Sequence, residues 1–273
     1  MLDSYFFIPG DKSKYLQKID TIDADYIIID LEDAVSFNNR EIALEFVLNI
    51  IPRNNHFVRI PFFEKCYSED QIKSLIRHFE GRVAVPKISE CSEVAIIKSF
   101  CPAIELNMIV LVENPLCYVN IRDILKCYSK EIHGIAFGSH DFCSITGIKN
   151  TFENLKNFKS ELSISAKAFN VKYIDGVDLD LLDFSQFKNE CINAFDLGYH
   201  GKFLIHPKQL EELKNVEFMS DLELQELKIV YNQIKTISED SIEVYTINGR
   251  VYEKPHIIRV KSLMDKLRKF NKI

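Results

Sequence analysis

A chain of 273 residues that is 47% apolar can bury one large α/β core or two small ones, which excludes intrinsic disorder. Its net charge of −6 is spread along the chain, with no basic stripe and no long run of one sign, so nucleic acid is not an expected partner. Seven cysteines, odd in number and without a CxxC pair, read as reduced thiols rather than disulfides or a zinc site. The start, Met1-Leu2-Asp3-Ser4, enters a strand at once without a charged, cleavable apolar leader, so a cytoplasmic protein with no membrane span is expected.

Residues 4–9 (SYFFIP) read as a first strand closed by Pro9-Gly10, with Asp11 placed to cap a helix over 12–20. The second strand, 26–30, is apolar over four consecutive positions, as a strand buried on both faces is, and then meets three carboxylates, Asp30, Glu32 and Asp33. Such a cluster suits a hard cation; in the plainer reading Asp30 caps the next turn while Glu32 and Asp33 stay solvated. Ile42, Phe46, Val47 and Ile50 have helical spacing and predict a helix over 38–51, which Pro52 ends. HFVRI at 56–60 is the third strand, with Arg59 near its end.

The alternation continues. A helix over 69–79 leads to a strand at 83–85 stopped by Pro86-Lys87, and a helix over 90–100 leads to the strand 107–112, ended by Glu113-Asn114-Pro115. Residues 116–128 are helical, and 132–137 form the sixth strand, closed by Gly138-Ser139-His140-Asp141. Helix 157–168, strand 171–174, helix 184–197 and strand 202–205 bring the count to eight strands. Eight βα repeats in roughly 210 residues is the arithmetic of an α/β protein of the (β/α)8 TIM-barrel class, since doubly wound sheets usually stop at five or six strands. The barrel is expected over 1–220, with 221–273 as an extension of the same folding unit. That extension comprises a helix at 222–237, two β-rich runs within 242–252 around Asn248-Gly249, and an amphipathic helix at 256–270 carrying Ile257, Val260, Leu263 and Leu267 on one side. It caps its own barrel or crosses to a neighbouring subunit.

In a barrel the residues after each strand converge on one rim, here Asp30, Glu32, Asp33, Arg59, Lys87, Glu113, Asp141, Asp175 and His206. Glu113 and Asp141 end successive strands; set together without a cation they repel, and magnesium, which uses one or two protein carboxylates plus water and substrate oxygens, resolves this. Their alternative role is to cap the helices that follow. Arg59 suits a bidentate grip on a substrate carboxylate, or else an internal ion pair with Asp30 or Asp33. Lys87 offers a Schiff base with a ketone as an alternative chemistry. His206 and His140 are placed either to move a proton or to anchor a hydrogen bond.

The segments FFIPGDKSKYLQK, ADYIIIDLEDAV, VRI, VPKI, VENP, AFGSHD, IDG and GYHGKFLIHPKQL, followed by TINGRVYEKP, occur in an order and spacing that resemble the citrate lyase β-subunit-like branch of the HpcH/HpaI aldolase family. The resemblance runs over nearly the whole chain. It implies a Mg2+-dependent barrel that makes or breaks a carbon–carbon bond in a small 2-oxo or hydroxy acid, commonly with a coenzyme A thioester as one partner. It further implies Glu113 and Asp141 as metal ligands, Arg59 as the carboxylate clamp, and Glu32 and Asp33 as acids lining the metal's water shell. Pro9, Gly10, Lys12 and Lys14 match the loop that lies near the coenzyme in thioester-using relatives, and a homotrimer or hexamer is implied. Asp33, His140 or a residue from a neighbour's C-terminal segment is the candidate base. At three positions the chain departs from the family pattern: Pro61 follows the VRI-type segment, Asn114-Pro115 follows the strand-five glutamate, and His140 precedes the strand-six aspartate. These changes point to a divergent substrate, and keep open a subunit active only within a larger citrate lyase-like assembly, or one without catalysis.

Overall fold

Runs such as YIIID, RVAV and NMIVLV carry β-branched and apolar residues on both faces, so they are stable only where both faces are covered. The computed structural model, which describes residues 1–236 and 244–269, covers them by closing eight parallel strands into a barrel. The strands are β1 (Asp3–Pro9), β2 (Tyr26–Asp30), β3 (His56–Arg59), β4 (Arg82–Val85), β5 (Asn107–Val112), β6 (Ile132–Phe137), β7 (Lys172–Asp175) and β8 (Gly201–Leu204). Closure is made by Tyr5, which sits opposite Tyr26 of β2 on one side and Phe203 of β8 on the other. The interior is filled by one layer after another of side chains, including Tyr5, Ile28, Phe57, Ile109, Ala136 and Ile174, so the barrel is a packed core and not a pore.

Helices surround it in chain order: α1 (Ser13–Leu16), α2 (Arg40–Leu48), α3 (Glu69–His78), α4 (Cys91–Phe100), α5 (Pro115–Tyr128), α6 (Ser139–Thr146), α7 (Phe152–Ala168), α8 (Ser185–Asp196) and α9 (Pro207–Asn215). The expected (β/α)8 barrel is therefore present, with local differences: the helix expected over 12–20 is only Ser13–Leu16, the one expected from 157 begins at Phe152, and three more follow. Asp11 caps no helix: α1 begins behind Lys12 with no side-chain cap, and the Asp11 carboxylate instead accepts from Asn39 Nδ2 at 2.7 Å. Residues 138–141, read as a closing turn, open α6, a helix of poor formers that ends where Gly147 adopts φ 73°. No range was expected for α9, although Pro207 at its first turn is a helix-start signal.

The chain divides into a barrel unit, Leu2–Val216, and a C-terminal unit beginning at Glu217. The latter has α10 (Asp221–Ile234), an antiparallel hairpin of β9 (Tyr245–Ile247) and β10 (Arg250–Tyr252), and α11 (Lys254–Lys269), around a core of Val230, Ile234, Ile247 and Ile257. Asn248 and Gly249 both take positive φ, 50° and 74°, as the tight hairpin turn requires. The expected helix end at Ile237, the start of the β-rich run at Ile242 and the last helical residue Phe270 lie outside the described residues. Among the described residues no helix is long and apolar enough to cross a membrane. All seven cysteines are free thiols, as their spacing suggested.

Candidate active site

The acid cluster after β2 divides its labour. Asp30 is buried and accepts from the backbone of Glu32 (2.9 Å) and Ala34 (3.1 Å), so it does cap the turn; the same carboxylate accepts from Arg59 Nε (2.7 Å) and Nη2 (2.5 Å). The pair follows from sheet register, which sets Asp30 opposite Arg59 on β3. Arg59 Nη1 also meets Glu32 Oε2 at 3.0 Å and Asp33 Oδ2 at 3.2 Å, and the guanidinium stands 5.1 Å above the Phe7 ring. Burial alone would weaken its charge, but Asp30, Glu32 and Asp33 hold it more firmly protonated than a free arginine. Glu32 is not solvated; it is 3% exposed, and burial, helped by Asp33 and opposed by Arg59 and Lys87, raises its carboxyl to about 7.

Lys87, after β4, is committed elsewhere. Its ammonium pairs with Glu64 and with Glu32 Oε1 (3.0 Å), while its backbone N–H donates to Glu113 Oε2 at 3.2 Å. Burial works to lower its pKa, yet the two carboxylates raise it above the ordinary value. A Schiff-base lysine needs the opposite shift, toward a free amine, so these ion pairs do not favour imine chemistry at Lys87. Lys87 is also absent from the cavity wall described next.

Glu113, just past β5, and Asp141, in the first turn of α6, share a cavity of about 240 Å3 with Asp33, Arg59, Ser139 and His140. Phe7, Leu111, Phe137, Val177, Leu179 and Phe203 supply its apolar wall. Gly138 makes room for Glu113: a Cβ there would stand 2.3 Å from Glu113 Cγ. Glu113 is 4% exposed, and its carboxyl is pushed up to about 8 by burial and then by Glu32, Asp141 and Asp33, against the pull of Arg59. This is a buried carboxylate surrounded mostly by carboxylates, which a bound cation would stabilise. Among the described residues no three His, Cys, Asp or Glu side chains converge as a closed metal cage. An open pair of carboxylates on a cavity is the donor set that suits magnesium, which keeps several waters or substrate oxygens.

His140 lines the cavity, and its Nδ1 lies 3.3 Å from Asn150 Nδ2, which also reaches Ser139 Oγ at 3.4 Å. His206 is a helix cap, its Nδ1 accepting from Lys208 N at 3.2 Å, so of its two sequence readings the hydrogen-bond anchor holds. Asn114 also caps a helix: Oδ1 accepts from Cys117 N at 2.7 Å ahead of Pro115, which gives this departure a structural reason. Asp175 is removed from the rim chemistry, buried between Lys159 (2.9 Å) and Lys202 (2.7 Å); these lysines outweigh burial and hold its carboxyl well below the usual range.

The first loop lies beside a second, larger cavity of about 550 Å3, lined by Pro9, Tyr15, Lys18, Ile205, His206 and Leu210 among others. Phe7 lines both cavities. Gly10 presses on β2, its N–H donating to Asp30 O at 2.8 Å, with no space for a side chain beside Leu31. Lys12 and Lys14 are exposed, Lys12 beside Asp11 at 3.1 Å, and neither lines the second cavity; Lys18 does. Sequence reasoning missed the apolar wall. Strand-end charges stand out in a sequence, whereas Val177, Leu179 and Phe203 look like any core residue.

Known proteins resemble this chain along nearly its whole length. The chain is 24% identical to a (3S)-malyl-CoA thioesterase of Cereibacter sphaeroides, covering 96% of this chain and 93% of that protein. It is also 24% identical to the citrate lyase subunit beta of Leuconostoc mesenteroides subsp. cremoris, covering 94% and 90%. Among solved structures, its fold matches the Mycobacterium tuberculosis protein CitE in complex with magnesium, acetoacetate and coenzyme A, with a TM-score of 0.78 over 97% of both chains at 20% identity. A citrate lyase from Burkholderia xenovorans LB400 gives a TM-score of 0.80 over 99% of this chain and 93% of that one at 17% identity. The family model for HpcH/HpaI aldolase/citrate lyase matches residues 3–207, and the chain belongs to that family.

Proposed function

We propose that the chain is a Mg2+-dependent carbon–carbon lyase acting on a small 2-oxo or hydroxy acid or its coenzyme A thioester. The observation that carries this reading is Glu113, buried among carboxylates on the wall of a small cavity, its carboxyl raised to about 8, with Asp141 and the fixed guanidinium of Arg59 on the same wall. Glu113 and Asp141 would hold the metal, which when bound supplies Lewis acidity to an adjacent substrate oxygen. Arg59, immobilised by Asp30, orients a substrate carboxylate without having to reorganise. The apolar wall keeps water from the reacting carbon. Asp33 and His140 both face the cavity and are the groups in this chain placed to take or return a proton. The apolar second cavity, sharing Phe7 with the first, is the candidate place for a thioester arm, with Pro9 and Lys18 in its lining and Gly10, Lys12 and Lys14 on the neighbouring loop and first helix.

Isothermal titration of chelator-stripped protein with Mg2+, with and without oxaloacetate, pyruvate or glyoxylate, tests this directly. Metal and 2-oxo acid should each tighten the other, and Glu113→Gln or Asp141→Asn should abolish both effects. Binding that survives both substitutions overturns the reading. A second reading, thioester hydrolysis, is favoured by the relatives named malyl-CoA thioesterase. With malyl-CoA as probe, release of free thiol without an acyl-CoA product would select it over cleavage.

The C-terminal unit motivates a homo-oligomer, trimer or hexamer. Deleting everything beyond Leu222 should lower the assembly state and the activity together, as read by light scattering and turnover. A complex-dependent β-type subunit, the remaining alternative, would show metal binding but no turnover alone.

A further inference from the structure

The segment IHPKQ after β8 holds Ile205 and His206 against the second cavity, and Gln209 within it is wholly buried. Its Oε1 accepts from Ile205 N at 2.9 Å and from His206 N at 3.2 Å, closing the N-terminal turn of α9. Its Nε2 does something a cap does not need: it donates to the backbone oxygen of Asp178 at 2.8 Å, 31 residues earlier in the chain. That oxygen belongs to the exit loop of β7, whose Gly176, Val177 and Leu179 line the cavity holding Glu113 and Asp141. On its other side, Gln209 holds Ile205 and His206, which line the second cavity. Gln209 itself lines neither.

The β7 exit is anchored unequally along its length. At its base Asp175 is clasped by Lys159 and Lys202, and Lys202 also meets Glu190 at 3.0 Å. Gly176 then lies against β6 so closely that a Cβ would stand 2.6 Å from Phe137 O. Beyond that point the recorded bonds of Asp178, Asp180 and Asp183 are turns within the loop or into the start of α8: Asp178 Oδ1 accepts from Asp180 N, Asp180 Oδ1 from Leu182 N and Asp183 N, and Asp183 from Ser185. Among the described residues, the Gln209 amide is what bonds this loop to the β8 exit.

We propose that Gln209 is a positioning residue that ties the β7 exit loop to the β8 exit loop and thereby sets the Val177–Leu179 side of the substrate cavity. The part of this that concerns substrate rests on the proposed function; the tether itself does not. Gln209→Glu separates the two roles at a pH where the new carboxyl is ionised, because a carboxylate still accepts from Ile205 N and His206 N at a helix N-terminus but has no proton to give Asp178 O, so exchange is read across a pH series to its alkaline end. Gln209→Met removes both roles.

Hydrogen exchange of the whole protein is the first readout. In Gln209→Glu the amides of residues 177–183 should exchange about tenfold faster while the first turn of α9 stays as protected as in wild type; in Gln209→Met both should open. The second readout is kinetic. With a turned-over acid, Gln209→Glu should raise KM about tenfold and leave kcat within about twofold, since a misplaced wall weakens binding shared by ground and transition states. Exchange at 177–183 unchanged in both variants overturns the proposal, whatever the kinetics. If wild type binds neither Mg2+ nor 2-oxo acid, the functional reading fails, and the exchange result alone still decides whether the tether exists.

Discussion

Glu113 and Asp175 are the same kind of group in the same kind of place, and they behave in opposite ways. Each is a carboxylate at the exit of a barrel strand, β5 and β7, and each is almost wholly buried, at 4% and 1% exposure. Burial pushes both toward the neutral acid. At Asp175 two lysines reverse the push and hold the group ionised; at Glu113 the nearest charges are mostly further carboxylates, and the group rises to about 8. A buried carboxylate clasped by two lysines, as Asp175 is, belongs to the architecture. One left with neighbours of its own sign, beside a cavity, is placed for a ligand.

The largest expected effect removes the unanswered charge. Glu113→Gln and Asp141→Asn should each lower turnover by about a thousandfold or more while circular dichroism and unfolding midpoint remain near wild type. Asp175→Asn should do the reverse. It leaves Lys159 and Lys202 facing each other in the core, with Glu190 as the remaining recorded counter-charge to Lys202, at a cost of about 3 kcal/mol in denaturant unfolding, while folded molecules still bind Mg2+. If Asp175→Asn is as silent on stability as Glu113→Gln, the contrast between the two sites fails.

pH sharpens the same comparison. The proton on Glu113 favours the fold, because the folded value of about 8 lies above the ordinary 4.5; this contribution is full below about pH 4.5 and is lost as pH rises through about 8. Metal-free protein should therefore lose melting temperature between those limits, Glu113→Gln should lose less, and Mg2+ at about a hundredfold excess over Kd should restore about 2.7 kcal/mol at the alkaline end. Flat, identical profiles for wild type and Glu113→Gln would show that the carboxyl is not raised. The smallest effect concerns the neighbour that caps α5: Asn114→Ala should cost about 1 kcal/mol of stability and change Mg2+ affinity by less than about threefold, because Asn114 bonds to Cys117 N and Ile88 O. A larger loss of metal would make Asn114 part of the site.

Much of the site was legible because a barrel gathers its strand ends. Arg59, Glu113 and Asp141 were found as charges ending apolar runs, and the structure brings all three to one cavity. The same rule overreached at Asp175, which ends a strand equally well but meets Lys159 and Lys202. At Lys87 the position says rim, and only the approach of Glu32 and Glu64 shows the ion pairs. Gln209 carried no signal beyond its place in IHPKQ, since a glutamine in a helix's first turn is most simply a cap.

The sequence by itself determined the eight strands, their order and the charges at their exits, because periodicity, Pro-Gly punctuation and strand-end acids act over a few neighbouring residues. Which of those charges were answered and which were left facing a cavity was decided only by the tertiary structure. A carboxylate's chemistry depends on groups brought within a few ångströms by barrel closure, from residues tens of positions away, and no local pattern encodes that distance.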